Sequence, residues 1–153
     1  MSKSKIFGLG LSRTGTKSLT SALTVLGYRI SHYPNDRTTL KELQSAIYQF
    51  SILQDYDGIT DITVAPFYAQ LDTLYPNSKF ILTVRDQVSW LRSLQKHWLY
   101  EFELLDRNNG IYPLDYESHV EITNFLRVAV FGCCDFNPIR MAYVYDLHCQ
   151  NVI

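Results

Sequence analysis

The chain has 153 residues, length enough for one domain with a single core, and its 46% hydrophobic and 19% charged content is ordinary for a globular protein. Its 14 Lys and Arg against 15 Asp and Glu give no global basic field; that excludes nucleic acid or an anionic membrane as a partner, so any anion site must be local. No segment approaches the ~18–20 apolar residues of a membrane span. The run after Met1-Ser2-Lys3-Ser4-Lys5 is broken by Gly8 and Gly10, too short for a signal-peptide core, and a cytoplasmic location is expected.

Lys5 to Gly10 reads as a short strand ending in glycine. Leu19, Leu23 and Leu26 then carry the three-and-four spacing of a helix over Lys17 to Leu26, which Gly27 is placed to end. Tyr28 to His32 alternates like a second strand, and Pro34-Asn35-Asp36 marks a turn. Leu40, Leu43, Ile47 and Phe50 predict one continuous amphipathic helix, broken by Asp55-Tyr56-Asp57-Gly58. Ile59 to Val64 is a candidate third strand. Pro66 opens a helix of about ten residues, with Tyr75-Pro76-Asn77 closing it.

Lys79 to Val84 (KFILTV) is the strongest strand signal, apolar enough to suggest a parallel strand buried on both faces. Arg85-Asp86 stops it, and Val88, Leu91, Leu94, Trp98, Phe102 and Leu105 share one face of a long helix. Asn108-Asn109-Gly110 predicts a break, followed by helices over Tyr116 to Phe131 and Pro138 to Ile153. Cys133, Cys134 and Cys149 form neither a disulfide framework nor a zinc spacing, so they are expected to be buried thiols, with no metal. The alternation of strands and helices argues for an α/β fold with a central parallel sheet, in one domain over residues 1–153.

The chemistry concentrates between the first strand and the first helix, in Gly8-Leu9-Gly10-Leu11-Ser12-Arg13-Thr14-Gly15-Thr16-Lys17-Ser18. Such a turn aims backbone N–H groups and the helix dipole at one point, where an anion can be held. A tight turn whose hydroxyls merely cap the helix is the plainer reading, but a cap does not need two cations beside Gly-x-Gly. A dinucleotide fingerprint fails because Arg13 stands where the third glycine belongs. A Walker A loop has Gly10 and Gly15 at the right separation, yet Thr16 pushes Lys17-Ser18 one place late.

Ser12 to Leu19 instead resembles the 5′-phosphosulfate loop of sulfotransferases: a basic residue, Ser or Thr, Gly, Thr, then small or polar residues opening a helix. Arg13 replaces the usual lysine, giving a fixed fork in place of a mobile point charge. A second motif agrees. Val84-Arg85-Asp86 ends the strong strand, and Ser93 follows Arg85 by eight positions, as in the family's pair that grips the 3′-phosphate. Without the loop, a salt-bridged strand end would explain Arg85-Asp86. Asp86 read as a magnesium ligand would support a kinase, but Arg85 beside it and the lack of a second acidic motif oppose that reading. Pro66-Phe67-Tyr68, Tyr75-Pro76, Trp90-Leu91 and, more loosely, Tyr145 and His148 extend the resemblance, which covers residues 5–100 well.

The resemblance implies a three-layer P-loop-type fold and sulfuryl transfer from 3′-phosphoadenosine 5′-phosphosulfate (PAPS) to a hydroxyl or amine on a small-molecule or glycan acceptor. It assigns cofactor binding to Ser12, Arg13, Thr14, Gly15, Thr16, Lys17 and Ser18, with Arg85 and Ser93, and gives Arg13 a catalytic role at the bridging oxygen. A general base is also required. Asp61, after the third strand, is the first candidate, ahead of His97 and His119. The family continues with a further strand and a basic segment where this sequence ends at Asn151-Val152-Ile153. The C-terminal part is therefore expected to be incomplete, which leaves a cofactor-binding homologue without activity, or a P-loop kinase, as alternatives. Homo-oligomerisation stays open.

Overall fold

Residues 4–107 and 116–153 are described by the computed structural model; the expected break at Asn108-Asn109-Gly110 lies outside them. Four three-residue strands, β1 (Ile6–Gly8), β2 (Ile30–His32), β3 (Gly58–Thr60) and β4 (Lys79–Ile81), form one parallel sheet in the order β2-β3-β1-β4. The helices are α1 (Thr16–Val25), α2 (Arg37–Gln44), α3 (Tyr68–Leu74), α4 (Gln87–Arg107), α5 (Tyr116–Phe131) and α6 (Pro138–Val152). This is the expected α/β architecture of the P-loop type. None of the described helices is long and apolar enough to cross a membrane.

The two-residue period of the strands divides the core. Ile6, Ile30 and Ile81 join Leu19 and Leu23 of α1 in a small cluster on one face of the sheet. Phe7, Ile59 and Phe80 point the other way, into the main core with Leu40 and Leu43 of α2, Leu71 of α3, Trp90, Leu94 and Trp98 of α4, Ile122 and Leu126 of α5, and Met141 of α6. The layers are thus unequal. Helix α1 covers one face, and the larger helical layer covers the other.

Three elements differ from expectation. The third strand, expected over Ile59 to Val64, is Gly58–Thr60, because the chain turns at Asp61, φ 81. The apolar spacing from Leu40 to Phe50 does not form one helix. Helix α2 ends at Gln44; Ala46 adopts φ 53, and Ile47 N–H donates to the Glu42 carbonyl at 2.8 Å, closing the helix as a left-handed cap residue does. The chain then re-enters the core through a 3-10 turn, Ser51–Gln54, which buries Leu53, while Ile47 stays outside. The spacing was helical, but the turn chemistry won.

KFILTV, expected to be buried on both faces, supplies only Lys79–Ile81 to the sheet and lies at its edge. Among the described residues no strand pairs with its outer side; Lys79 is exposed, Phe80 and Ile81 are half-buried, and Val84 is 61% exposed. Apolar composition alone does not separate a central strand from an edge strand of the same sheet.

Helix α2 begins at Asp36, whose carboxylate accepts from Thr39 N–H at 3.0 Å and from Thr39 Oγ1 at 2.8 Å. Replacing Asp36 by Ala strips this N-cap and is expected to cost about 1 kcal/mol in urea-induced unfolding. Asp36→Asn should recover most of the loss, and equal stability of the Ala variant and the parent would show that the cap contributes nothing.

Candidate functional site

The parallel register brings the C-terminal ends of all four strands to one edge, the side on which open α/β sheets bind ligands. From β1 the chain runs into the loop and reaches α1 through Gly15, which sits at φ 96 and provides no side-chain cap. The first-turn N–H groups of α1 have no intrahelical acceptors, and no side chain caps them. Gly10 cannot carry a side chain: a Cβ there would meet Thr83 Oγ1 at 1.8 Å and Thr14 Oγ1 at 2.6 Å. Thr14 Oγ1 itself donates to the Leu11 carbonyl at 2.7 Å, and Trp90 Nε1 donates to the Ser12 carbonyl at 2.9 Å, so the loop is held from within and from α4.

Asp61, directly after β3, is 5% exposed and adopts φ 81. Its carboxylate accepts from Ser12 Oγ at 2.5 Å, from Ile62 N–H at 2.7 Å and from the Thr16 hydroxyl. Three donors satisfy a charge that would otherwise be costly to bury. Left-handed backbone is unusual for residues other than glycine, and Arg13, Tyr33 and Asp61, all lining the site, are three of the five described cases.

Arg13 joins the two motifs. Its Nε donates to Ser93 Oγ at 3.0 Å, and its carbonyl accepts from Arg85 Nη1 at 3.2 Å across 72 residues of sequence. Arg85 is fixed in turn by α6: Tyr145 OH accepts from Arg85 N–H at 2.8 Å and donates to the Arg85 carbonyl at 2.6 Å. One turn away, His148 Nε2 donates to the Leu9 carbonyl at 2.7 Å, pinning the end of β1 to the same helix. Burial holds the His148 imidazole below the usual histidine pKa, although the bond to Leu9 favours the charged form.

These elements surround a cavity of about 600 Å3. The loop wall offers Ser12, Arg13, Gly15, Thr16 and Lys17, with Asp61 and Arg85 beside it. The remaining lining comes from His32 at the end of β2, Tyr33 and Asn35 after it, Ile62 after β3, Leu94, His97 and Trp98 of α4, and His119, Thr123, Arg127 and Phe131 of α5. Arg127, 8% exposed, stacks its guanidinium 3.8 Å from the centre of the Trp98 ring. The lining therefore carries four permanent cations against one carboxylate, on a chain whose net charge is −1. The positive charge of the cavity is thus local.

A family model described as a sulfotransferase domain matches residues 5–153. The chain belongs to the sulfotransferase domain family. It is also 30% identical over 108 residues to "Ava biosynthesis cluster protein M" of Aspergillus versicolor; the match covers 60% of this chain and 42% of that protein, so the chain spans less than half the length of this relative.

Of the residues singled out in this sulfotransferase-family sequence, seven line the cavity: Ser12, Arg13, Gly15, Thr16, Lys17, Asp61 and Arg85. Three do not. Thr14 is turned into the loop, Ser18 is exposed on α1, and Ser93 reaches the site through Arg13. His97 and His119 line the cavity, whereas His32, Trp98 and Arg127 were not anticipated. His32 had a usable signal, since it ends a strand on the loop's side of the sheet. Trp98 and Arg127 had none, because only the packing of α4 on α5 turns them inward. The cysteines depart from expectation: Cys134 is exposed, and Cys133 and Cys149 are half-buried.

Tyr145→Phe removes both bonds to the Arg85 backbone and is expected to cost about 1–3 kcal/mol in denaturant unfolding, the scale for stranded buried polar groups. Unchanged stability would show that water replaces the hydroxyl without loss. A second expectation concerns acid. As pH falls through the ordinary histidine range, the unfolded chain takes up a proton that folded His148 resists, so stability is full above that range and declines towards the lowered folded value. His148→Gln should flatten the decline measured between about pH 7 and 5.

Proposed function

We propose that this chain binds PAPS at the strand-end site and transfers its sulfuryl group to a hydroxyl or amine of a small-molecule acceptor in the cytoplasm. The observation that carries the reading is the joining of the loop to Arg85 and Ser93 through Arg13. An anion cradle alone would suit many phosphates; a second cation fixed beside it suits a nucleotide bearing phosphates at both ends.

The donor set fits such a group. The α1 N-terminus lacks a side-chain cap, and a Cβ at Gly15 would meet no atom within 4 Å, so ligand oxygens can approach the backbone there. Lys17 and the first-turn N–H groups would hold the 5′-phosphate, and Arg85 with Ser93 the 3′-phosphate. Arg13 would neutralise charge on the oxygen that bridges phosphate and sulfur. PAPS supplies the activated sulfuryl group; the protein supplies position and charge, which are the main levers in such transfers. Asp61 holds Ser12 and Thr16 so that the loop keeps this shape.

The acceptor takes the rest of the cavity, where Ile62, Leu94, Trp98 and Phe131 offer an apolar wall and Asn35 and Thr123 offer polar contacts. A small molecule agrees with the name of the Aspergillus versicolor relative, which is that of a biosynthesis cluster protein.

Calorimetric titration with adenosine 3′,5′-bisphosphate and, separately, ATP-Mg tests the cofactor. The bisphosphate is expected to bind, and Arg85→Ala to weaken it by about 1.5–3 kcal/mol, the scale for a hydrogen bond to a charged group. Binding of ATP-Mg with indifference to the bisphosphate would overturn the reading in favour of a phosphotransferase. Labelled sulfate transfer to a panel of alcohols, phenols and amines then finds the acceptor.

A further inference from the structure

His32 ends β2 and lines the cavity, with its Nδ1 3.1 Å from Thr60 Oγ1. Thr60 Oγ1 lies 2.7 Å from Thr20 Oγ1, and the Thr20 hydroxyl donates to the Thr16 carbonyl at 3.0 Å. Each hydroxyl has one hydrogen to give. Thr20 spends its own on a carbonyl, which can only accept, so the Thr60 hydroxyl donates to Thr20. Thr60 then has only a lone pair to offer His32, and Nδ1 must carry the ring hydrogen. A neutral imidazole has one N–H; Nε2 is left with a lone pair. No hydrogen bond among the described residues occupies Nε2.

His119 is set the other way. Its Nδ1 lies 2.7 Å from Asn35 Nδ2, an amide nitrogen that can only donate, so Nδ1 accepts and Nε2 carries the hydrogen. Asp61, the first candidate base on sequence, has its carboxylate engaged by Ser12, Thr16 and Ile62 N–H, and His97 has partners of its own.

We propose that His32 Nε2 is the proton acceptor for the attacking hydroxyl, a role that rests on the sulfuryl-transfer reading above. As the acceptor oxygen bonds to sulfur, the bond from sulfur to the 5′-phosphate oxygen breaks. Its electron pair stays on that oxygen beside Arg13, and the bisphosphate nucleotide leaves. The hydroxyl proton passes to Nε2 and then to water. The charged groups acting on the ring are suited to this. Burial lowers its pKa, Asp61 after β3 opposes that, and Lys17 of α1 adds to it; His119 of α5 shares the cavity. The ring is therefore neutral at rest, and Asp61 steadies the imidazolium once formed.

Nitrogen-15 NMR of the full chain, with and without adenosine 3′,5′-bisphosphate, reads the tautomer directly. The expected result at neutral pH is a protonated Nδ1 and a bare Nε2; an Nε2–H ring or a charged ring would overturn the proposal. His32→Asn keeps a donor to Thr60 but no base. It should bind the bisphosphate as the parent does, while kcat with whichever acceptor the parent uses falls roughly 100-fold to 10,000-fold. In the parent, the rate should rise with pH through a value below that of a free histidine and then level off, and the variant should lose this limb. Equal rates for parent and variant would also overturn it. Failure of the parent to bind the bisphosphate is a separate result: it defeats the sulfuryl-transfer reading, and the base with it.

Discussion

The site is organised around a buried carboxylate. Asp61 sits at the end of β3 with almost no exposure, and the donors that make its charge tolerable are the loop hydroxyls of Ser12 and Thr16 together with Ile62 N–H. Removing the donors would strand the charge, and removing the charge would free the loop. That mutual need explains how a loop rich in small and polar residues keeps one shape. It also accounts for a non-glycine residue at φ 81, since three bonds offset the strain of a left-handed backbone.

The same economy places the cations. Arg13 and Arg85 carry like charges and would repel each other in isolation. Here Arg85 Nη1 meets a backbone carbonyl of Arg13 and Arg13 Nε meets a serine, so each guanidinium is oriented by a neutral group. From α6, Tyr145 holds the Arg85 backbone and His148 the Leu9 carbonyl. The result is a fixed positive region in a chain with no excess of basic residues.

Much of this was legible in the sequence, for a physical reason. The loop is local: its glycines, hydroxyls and cations lie within nine residues, and the flanking apolar periods fix it between a strand and a helix. Arg85 was legible because it ends an unmistakable apolar run. Spacing could not reveal direction. Thr14 and Thr16 stand two residues apart in the same motif, yet one bonds the loop backbone and the other bonds Asp61. Nor could composition place KFILTV at the sheet edge, or foresee that Ala46 would stop α2 where the apolar period continued. The lower half of the cavity, with Trp98 and Arg127, depends on how two distant helices meet, and no local pattern records that.

Asp61 and His32 show why a residue's type is a weak guide to its role until its bonds are counted. On sequence, a carboxylate after a strand is a natural base, whereas a histidine within an alternating strand attracts no notice. In the fold the carboxylate is the better-anchored group, held by Ser12, Thr16 and Ile62 N–H. The histidine has one nitrogen tied to a threonine relay, and the residue lines the cavity. Neutral at rest and beside the Asp61 carboxylate, it can take a proton with little rearrangement. The two groups are complementary because they are unequal: the carboxylate is held by three donors, and the ring has one nitrogen with no hydrogen bond among the described residues.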